Sequence, residues 1–161
     1  MTQRVIGFDP GLRVTGYGVV EGNGLRPRLI EAGVIRLPAD RPLGERLQQL
    51  HESAREILEE YRPSAVAIEE LYSHYERPKT AILMGHARGV LYLAAATSGI
   101  TVASYLPTKV KKVTTGNGHA SKEQMQSAIR TQLALDSPLD PPDVADALAV
   151  ALCHFFAEFS P

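Results

Sequence analysis

The spacing of apolar residues alternates between the compact runs expected of strands and the three-and-four repeat expected of helices. Residues 5–9 form a short apolar run closed by the turn signal Pro10-Gly11. Residues 14–21 and 29–37 are rich in β-branched side chains, and Gly22-Asn23-Gly24 between them predicts a hairpin. From Leu43 the repeat changes. Leu43, Leu47, Leu50, Ala54, Ile57, Leu58 and Tyr61 fall three and four apart with charged residues between them, which predicts an amphipathic helix ended by Pro63. Residues 64–69 follow. The set Ala65-Val66-Ala67-Ile68 is apolar on both parities, so this strand is expected to be covered on both faces and to run parallel and central in a sheet. Next come a helix over about 78–97, a buried strand over 100–105, a polar basic segment over 108–122 whose plainer reading is a solvated loop, and a helix over about 121–133. Asp140, ahead of Pro141-Pro142, is the expected N-cap of a last helix reaching about Phe156. This order predicts a mixed α/β sheet with an antiparallel meander on one side, in a single domain spanning residues 1–161.

Membrane insertion and export are both disfavoured. The uncharged stretch 89–108 is long enough to span a bilayer. It contains Thr97, Thr101 and Ser104, however, and the break at Ser98-Gly99 predicts the end of one element and the start of another. Asp9 interrupts the first apolar run, which argues against a signal peptide. Cys153 is the single cysteine, so no intrachain disulfide forms and nothing suggests an oxidising compartment. It reads as a small buried hydrophobe, and His51, His86 and His154 are too scattered for a zinc motif.

Four acids break the pattern of solvated faces. Asp9 ends an apolar strand, and Glu69 ends the strand expected to be central. Asp143 and Asp146 open the last helix three residues apart, so they share a face. The ends of parallel strands are where open α/β sheets place their ligands. Each acid has a plainer explanation: a turn aspartate at Asp9, a solvated strand end at Glu69, and an acid beside the helix dipole at Asp143. Asp146 resists such a reading because Val144, Ala145, Ala147 and Leu148 surround it with apolar positions. Together the four favour an oxygen-donor site for Mg²⁺ or Mn²⁺.

The segments Gly7-Phe8-Asp9-Pro10-Gly11, Thr15-Gly16-Tyr17-Gly18, Val66-Ala67-Ile68-Glu69 and Asp143-Val144-Ala145-Asp146-Ala147-Leu148-Ala149, in this order and spacing, resemble those of RuvC-type Holliday junction resolvases. The resemblance runs from Arg4 to about His154. It implies an RNase H-like fold, a five-stranded mixed sheet flanked by helices. It also implies a homodimer in the bacterial cytoplasm that nicks opposing strands of a four-way DNA junction in recombination and repair, in cooperation with a RuvA–RuvB branch-migration complex. Asp9, Glu69, Asp143 and Asp146 then stand at the family's metal-binding carboxylates, with two Mg²⁺ (or Mn²⁺) ions per site. Lys111 and Lys122 match family lysines near the scissile phosphate. Tyr72 stands where several relatives have a phenylalanine thought to stack on a junction base. The tyrosine keeps the aromatic face and adds a hydroxyl.

Charge and composition then refine the partner. Seventeen Lys+Arg against 18 Asp+Glu leave a formal net charge of −1, which excludes a uniformly basic DNA coat. Counting the four site acids as neutralised turns −1 into +3. Lys109, Lys111, Lys112 and Lys122 all fall in the acid-free stretch 108–122, a candidate phosphate-binding rim, with Tyr72 and Arg77 as a second candidate surface beside Glu69. Ala81, Gly85 and Gly89, four apart in the helix over 78–97, suggest close packing, which the resemblance assigns to a dimer interface. Three other readings were open. One is an RNase H-like nuclease for RNA or simpler branches, and another is a junction-binding module without catalysis. The third is a sugar-kinase or ATPase-like phosphate binder, resembled at Asp9-Pro10-Gly11, whose second lobe 161 residues cannot accommodate.

Overall fold

The computed structural model describes residues 1–71 and 77–158. Its strands are β1 (Gln3–Asp9), β2 (Val14–Asn23), β3 (Arg26–Arg36), β4 (Ala65–Glu69) and β5 (Thr101–Tyr105). Its helices are α1 (Leu43–Tyr61), α2 (Pro78–Thr97), α3 (Pro107–Thr115), α4 (Lys122–Gln132) and α5 (Pro142–Ala157). The strands form one sheet in the order β3-β2-β1-β4-β5. β1, β2 and β3 pair antiparallel, whereas β4 runs parallel to both β1 and β5. The expected mixed sheet with its meander is therefore present, and β4 is an interior strand with β1 at the centre.

Alternating residues of β1 feed two cores. Ile6 and Phe8 pack with Leu50, Leu58, Val66, Ile68 and Leu91 under α1 and α2. Val5 packs on the opposite face with Leu148, Leu152 and Phe155 of α5. α5 is buried almost all round, from Val144 to Phe155 apart from the site residue Asp146, as expected of a helix embedded between layers rather than resting on one. Its approach depends on missing side chains in the sheet. A Cβ on Gly7 would lie 2.0 Å from the Ala147 carbonyl oxygen, and one on Gly16 would lie 2.2 Å from that of Asp143. These glycines let the first turns of α5 settle against β1 and β2, next to the end of β1 that carries Asp9.

Local chemistry explains the helix ends. α1 stops where Arg62 turns left-handed (φ 44°) and its N–H reaches the Leu58 carbonyl, with Pro63 barring continuation. Ser121 caps α4 through a reciprocal pair with Gln124, and both hydrogen bonds are formed.

Four expectations need correction. The hairpin turn is not at 22–24: β2 continues through Asn23, β3 restarts at Arg26, and Gly24 supplies the positive φ of 63°. The plainer reading of the basic segment as a solvated loop fails for its first half, because α3 occupies residues 107–115. Pro107 starts α3, Val110 and Thr114 are buried beneath it, and Gly116 at φ 84° closes it on the Lys112 carbonyl. Asp140 does not cap α5. Pro141 holds the N-cap position with no side-chain cap bond, which leaves Asp140 one residue outside. β5 is a half-exposed edge strand rather than a buried one. Among the described residues no helix is long and apolar enough to cross a membrane.

Candidate active site

Two adjacent parallel strands deliver the first two acids. Phe8 of β1 pairs with Ile68 of β4, so Asp9 and Glu69, one residue further along each strand, emerge at the same edge of the sheet. α5 enters over Gly16 and brings Asp146 to that edge with Asp143 beside it. A cleft of about 250 Å³ opens there, lined by Asp9, Glu69 and Asp146 together with Lys111 of α3 and Lys122 of α4. Asp143 lies outside the lining, yet its charge acts on both Asp9 and Asp146.

The electrostatics are those of crowded anions. Burial, followed by the charges of Asp146, Asp143 and Glu69, pushes the Asp9 carboxyl up to about 8. Glu69 is raised by burial and by Asp146, and Lys111 opposes the shift. Asp146 is raised by burial and by Asp143, and Lys122 opposes that shift. Each lysine thus serves a different acid. None of the ion pairs among the described residues involves any of the four carboxylates. Also among the described residues, no three His, Cys, Asp or Glu side chains stand as a ready-made metal cage, so the acids share a cleft without closing on one point. Their chemistry nevertheless fits divalent ions. All the donors are hard carboxylate oxygens, and the repulsion that lifts Asp9 is what a cation would relieve.

The other expected contacts divide. Lys109 and Lys112 are exposed on α3 away from the cleft, and the charge of Lys109 acts on the buried Cys153 instead. Arg77 is exposed at the N-cap of α2, also outside the cleft lining. Tyr72 lies outside the described residues.

Two supports of the site were not foreseen. Arg88 of α2 donates to the Glu69 carbonyl (3.4 Å), to Ser104 Oγ (2.7 Å) and to the Tyr92 hydroxyl (3.2 Å), and stacks over the Tyr92 ring. It therefore ties α2 to the ends of β4 and β5. Behind Glu69, which pairs with Tyr105, the Tyr105 hydroxyl meets Nδ1 of the buried His154 at 2.6 Å. No sequence signal distinguishes Arg88 from the other basic residues on helical faces.

Comparison with known proteins places this arrangement. Residues 5–154 match the family described as Crossover junction endodeoxyribonuclease RuvC. The Crossover junction endodeoxyribonuclease RuvC of Rhodopirellula baltica is 51% identical over 154 residues, covering 95% of this chain and 86% of its own. The structure of T. thermophilus RuvC in complex with a Holliday junction substrate superposes with a TM-score of 0.93 at 37% identity, over 98% of this chain and 95% of that one. The yeast mitochondrial Holliday junction resolvase shares the fold, with a TM-score of 0.66 at 15% identity over 94% of this chain and 78% of its own. The five-stranded sheet flanked by helices is thus the RNase H-like fold of these resolvases, and the chain belongs to the RuvC family of crossover junction endodeoxyribonucleases.

Proposed function

We propose that this chain, as a single domain over residues 1–161, is a structure-specific endonuclease that resolves four-way DNA junctions by paired symmetric nicks. The observation that carries the reading is the gathering of Asp9, Glu69 and Asp146 with Lys111 and Lys122 in one cleft, with Asp143 acting from its edge. Asp9, Glu69, Asp143 and Asp146 would hold two Mg²⁺ or Mn²⁺ ions, which would relieve the repulsion that Asp9 feels from the other three acids. When bound, such ions lower the pKa of an attacking water and offset charge on the phosphate.

The protein's own part follows from placement. The Asp9 carboxyl retains its proton near neutrality while no cation is present, so proton and cation compete for it. Lys122 beside Asp146 and Lys111 beside Glu69 bring positive charge to where a phosphate would rest, and stabilise charge that builds on it during attack. Arg88 holds the backbone that presents Glu69.

A homodimer supplies two such clefts, one for each opposing strand. The exposed face of α2 supports it. Ile82 and Leu93 are 63% and 54% exposed, and Gly85 and Gly89 leave nearly open space where side chains would stand. Glycines in mid-helix cost stability relative to alanine, and among the described residues only Leu71, at 4.0 Å from where a Gly85 Cβ would stand, comes near either of these two. Sedimentation at micromolar concentration should show a dimer, and a monomer alone would contradict this assignment. Cooperation with a RuvA–RuvB complex and a cytoplasmic location belong to the same proposal. The functional test is cleavage of a four-way junction beside a linear duplex and an RNA–DNA hybrid. Preference for the junction supports the reading, and preference for the hybrid would replace it with a ribonuclease.

A further inference from the structure

Glu69 and Asp146 share one cleft, on elements that their charges push apart. Burial, followed by the charge of Asp146, raises the Glu69 carboxyl, so β4 and α5 carry acids that repel each other. The apolar layer behind them opposes separation but has no direction of its own. Leu148, Leu152 and Phe155 fill that layer, and Gly7 and Gly16 of the sheet let α5 come close. A directional contact has to set how far α5 slides along the sheet.

Tyr105 and His154 supply such a contact. Tyr105 ends β5 and pairs with Glu69, and its carbonyl accepts from the Glu70 N–H at 2.8 Å, so its backbone is tied to the end of β4. Its hydroxyl reaches Nδ1 of His154 at 2.6 Å, with the two rings 5.9 Å apart and tilted by 53°. His154 is 7% exposed and stands just over two turns beyond Asp146 on α5, about 12 Å along the helix axis. Burial raises the Tyr105 phenol and lowers the His154 imidazole, so both are neutral near neutrality and the hydroxyl donates to an unprotonated Nδ1. Nε2 then carries the ring hydrogen, with the Glu158 carboxylate 3.8 Å away.

These links close a loop. Glu69 is joined to Tyr105 through the sheet, Tyr105 to His154 through one hydrogen bond, and His154 to Asp146 through the helix; Asp146 returns to Glu69 across the cleft. Three sides are backbone or hydrogen bond, and the fourth is a repulsion. Resting on the junction-cutting reading above, we propose that Tyr105 and His154 are positioning residues: their hydrogen bond stops α5 at one place along β5 and so holds Asp146 opposite Glu69 for a divalent ion. Neither side chain lines the cleft, so the pair acts only through the two acids. A neutral pair suits this task, because a charge behind the carboxylates would alter their affinity for protons as well as their spacing.

The test uses the full chain as wild type, as Tyr105→Phe, and as the double variant Tyr105→Phe with His154→Leu. The single change removes only the hydroxyl and leaves Nδ1 buried without its partner. The double change makes both partners apolar, which costs the fold far less. All three are compared at a temperature where circular dichroism shows each to be folded. Mn²⁺ binding without DNA, read from the electron paramagnetic resonance signal of the free ion, should weaken about tenfold in both variants, as when a group behind a metal ligand is lost. Cleavage of a four-way junction should need correspondingly more Mg²⁺ for half its maximal rate, while junction affinity in Ca²⁺ stays as in wild type. The urea midpoint should fall in Tyr105→Phe and recover in the double variant, so the metal defect persists in a protein whose stability is restored. Wild-type Mn²⁺ affinity in either variant would overturn the positioning role and leave the pair a structural contact. A wild-type protein that cuts no junction, while both variants still lose Mn²⁺ affinity, would instead overturn the functional reading beneath the proposal.

Discussion

Replacing Asp9 with asparagine should make the metal-free protein more stable while abolishing its activity. The Asp9 carboxyl is raised from 3.8 to about 8 by burial and by three neighbouring acids. A raised folded-state pKa favours folding fully below the unfolded value and progressively less as pH climbs through the folded one. The penalty therefore grows from about pH 4 to about pH 8. At pH 7 the gap above the unfolded value is roughly 3 units, which at about 1.4 kcal/mol per unit gives a ceiling of about 4 kcal/mol. Relaxation and water entry reduce this, so a gain of about 1–3 kcal/mol is expected from the neutral amide. The assay is urea unfolding in EDTA at pH 5 and pH 8, wild type beside Asp9→Asn. The variant should lead at both values, by more at pH 8. Saturating Mg²⁺ should reverse the order, because only the carboxylate gains from the ion. A variant that is no more stable than wild type at pH 8 in EDTA would refute the claim that repulsion at this site strains the fold.

Further outcomes follow from the same geometry. Lys122→Ala should lower kcat by about 10²-fold through lost phosphate stabilisation, whereas Lys112→Ala, outside the cleft, should leave kcat within about twofold; equal losses in single-turnover cleavage would place both lysines in one shared role. Gly16→Ala sets a methyl 2.2 Å from the Asp143 carbonyl oxygen and should cost at least about 1–3 kcal/mol in a denaturant melt and displace the start of α5. A neutral effect would show that α5 can retreat freely. Tyr72→Ala should impair cleavage more than junction affinity, and equal loss of both would mark a structural tyrosine.

How far the molecule was legible from its sequence differs between elements for physical reasons. α1 and β4 were legible because burial imposes a period on them. Leu50, Ala54 and Leu58 mark the inner face of α1, and Ala65 to Ile68 show no polar face at all. α3 was hidden because only Val110 and Thr114 of its nine residues are buried, and three lysines mask so short a stripe. Its flanks, Pro107 and Gly116, were the signal to use. β5 looked buried because apolar content does not distinguish an interior strand from an edge strand, and the tertiary order decides that. Asp9, Glu69 and Asp146, which share the cleft, stood out because each is an isolated carboxylate ending or interrupting an apolar run, whereas Asp143 has the look of an ordinary acid in a first helical turn. The rest of the cleft did not stand out, because Met84, Val110, Met125 and Gln126 come from three helices and each looks like ordinary packing until those helices meet. The division among the lysines was equally invisible. Lys109, Lys111 and Lys112 are near neighbours in sequence, but helical geometry turns only Lys111 into the cleft.

The central claim is that one carboxylate cleft cuts four-way junctions with divalent ions. The most direct test is cleavage of a synthetic four-way junction across a Mg²⁺ titration from EDTA upward, by wild type and by Asp146→Asn, with junction affinity measured in Ca²⁺ for both. The account predicts symmetric nicks that appear only with the ion, no cutting by the variant at any Mg²⁺ concentration, and similar affinities. Cutting in EDTA, or near wild-type cutting by Asp146→Asn, would contradict it.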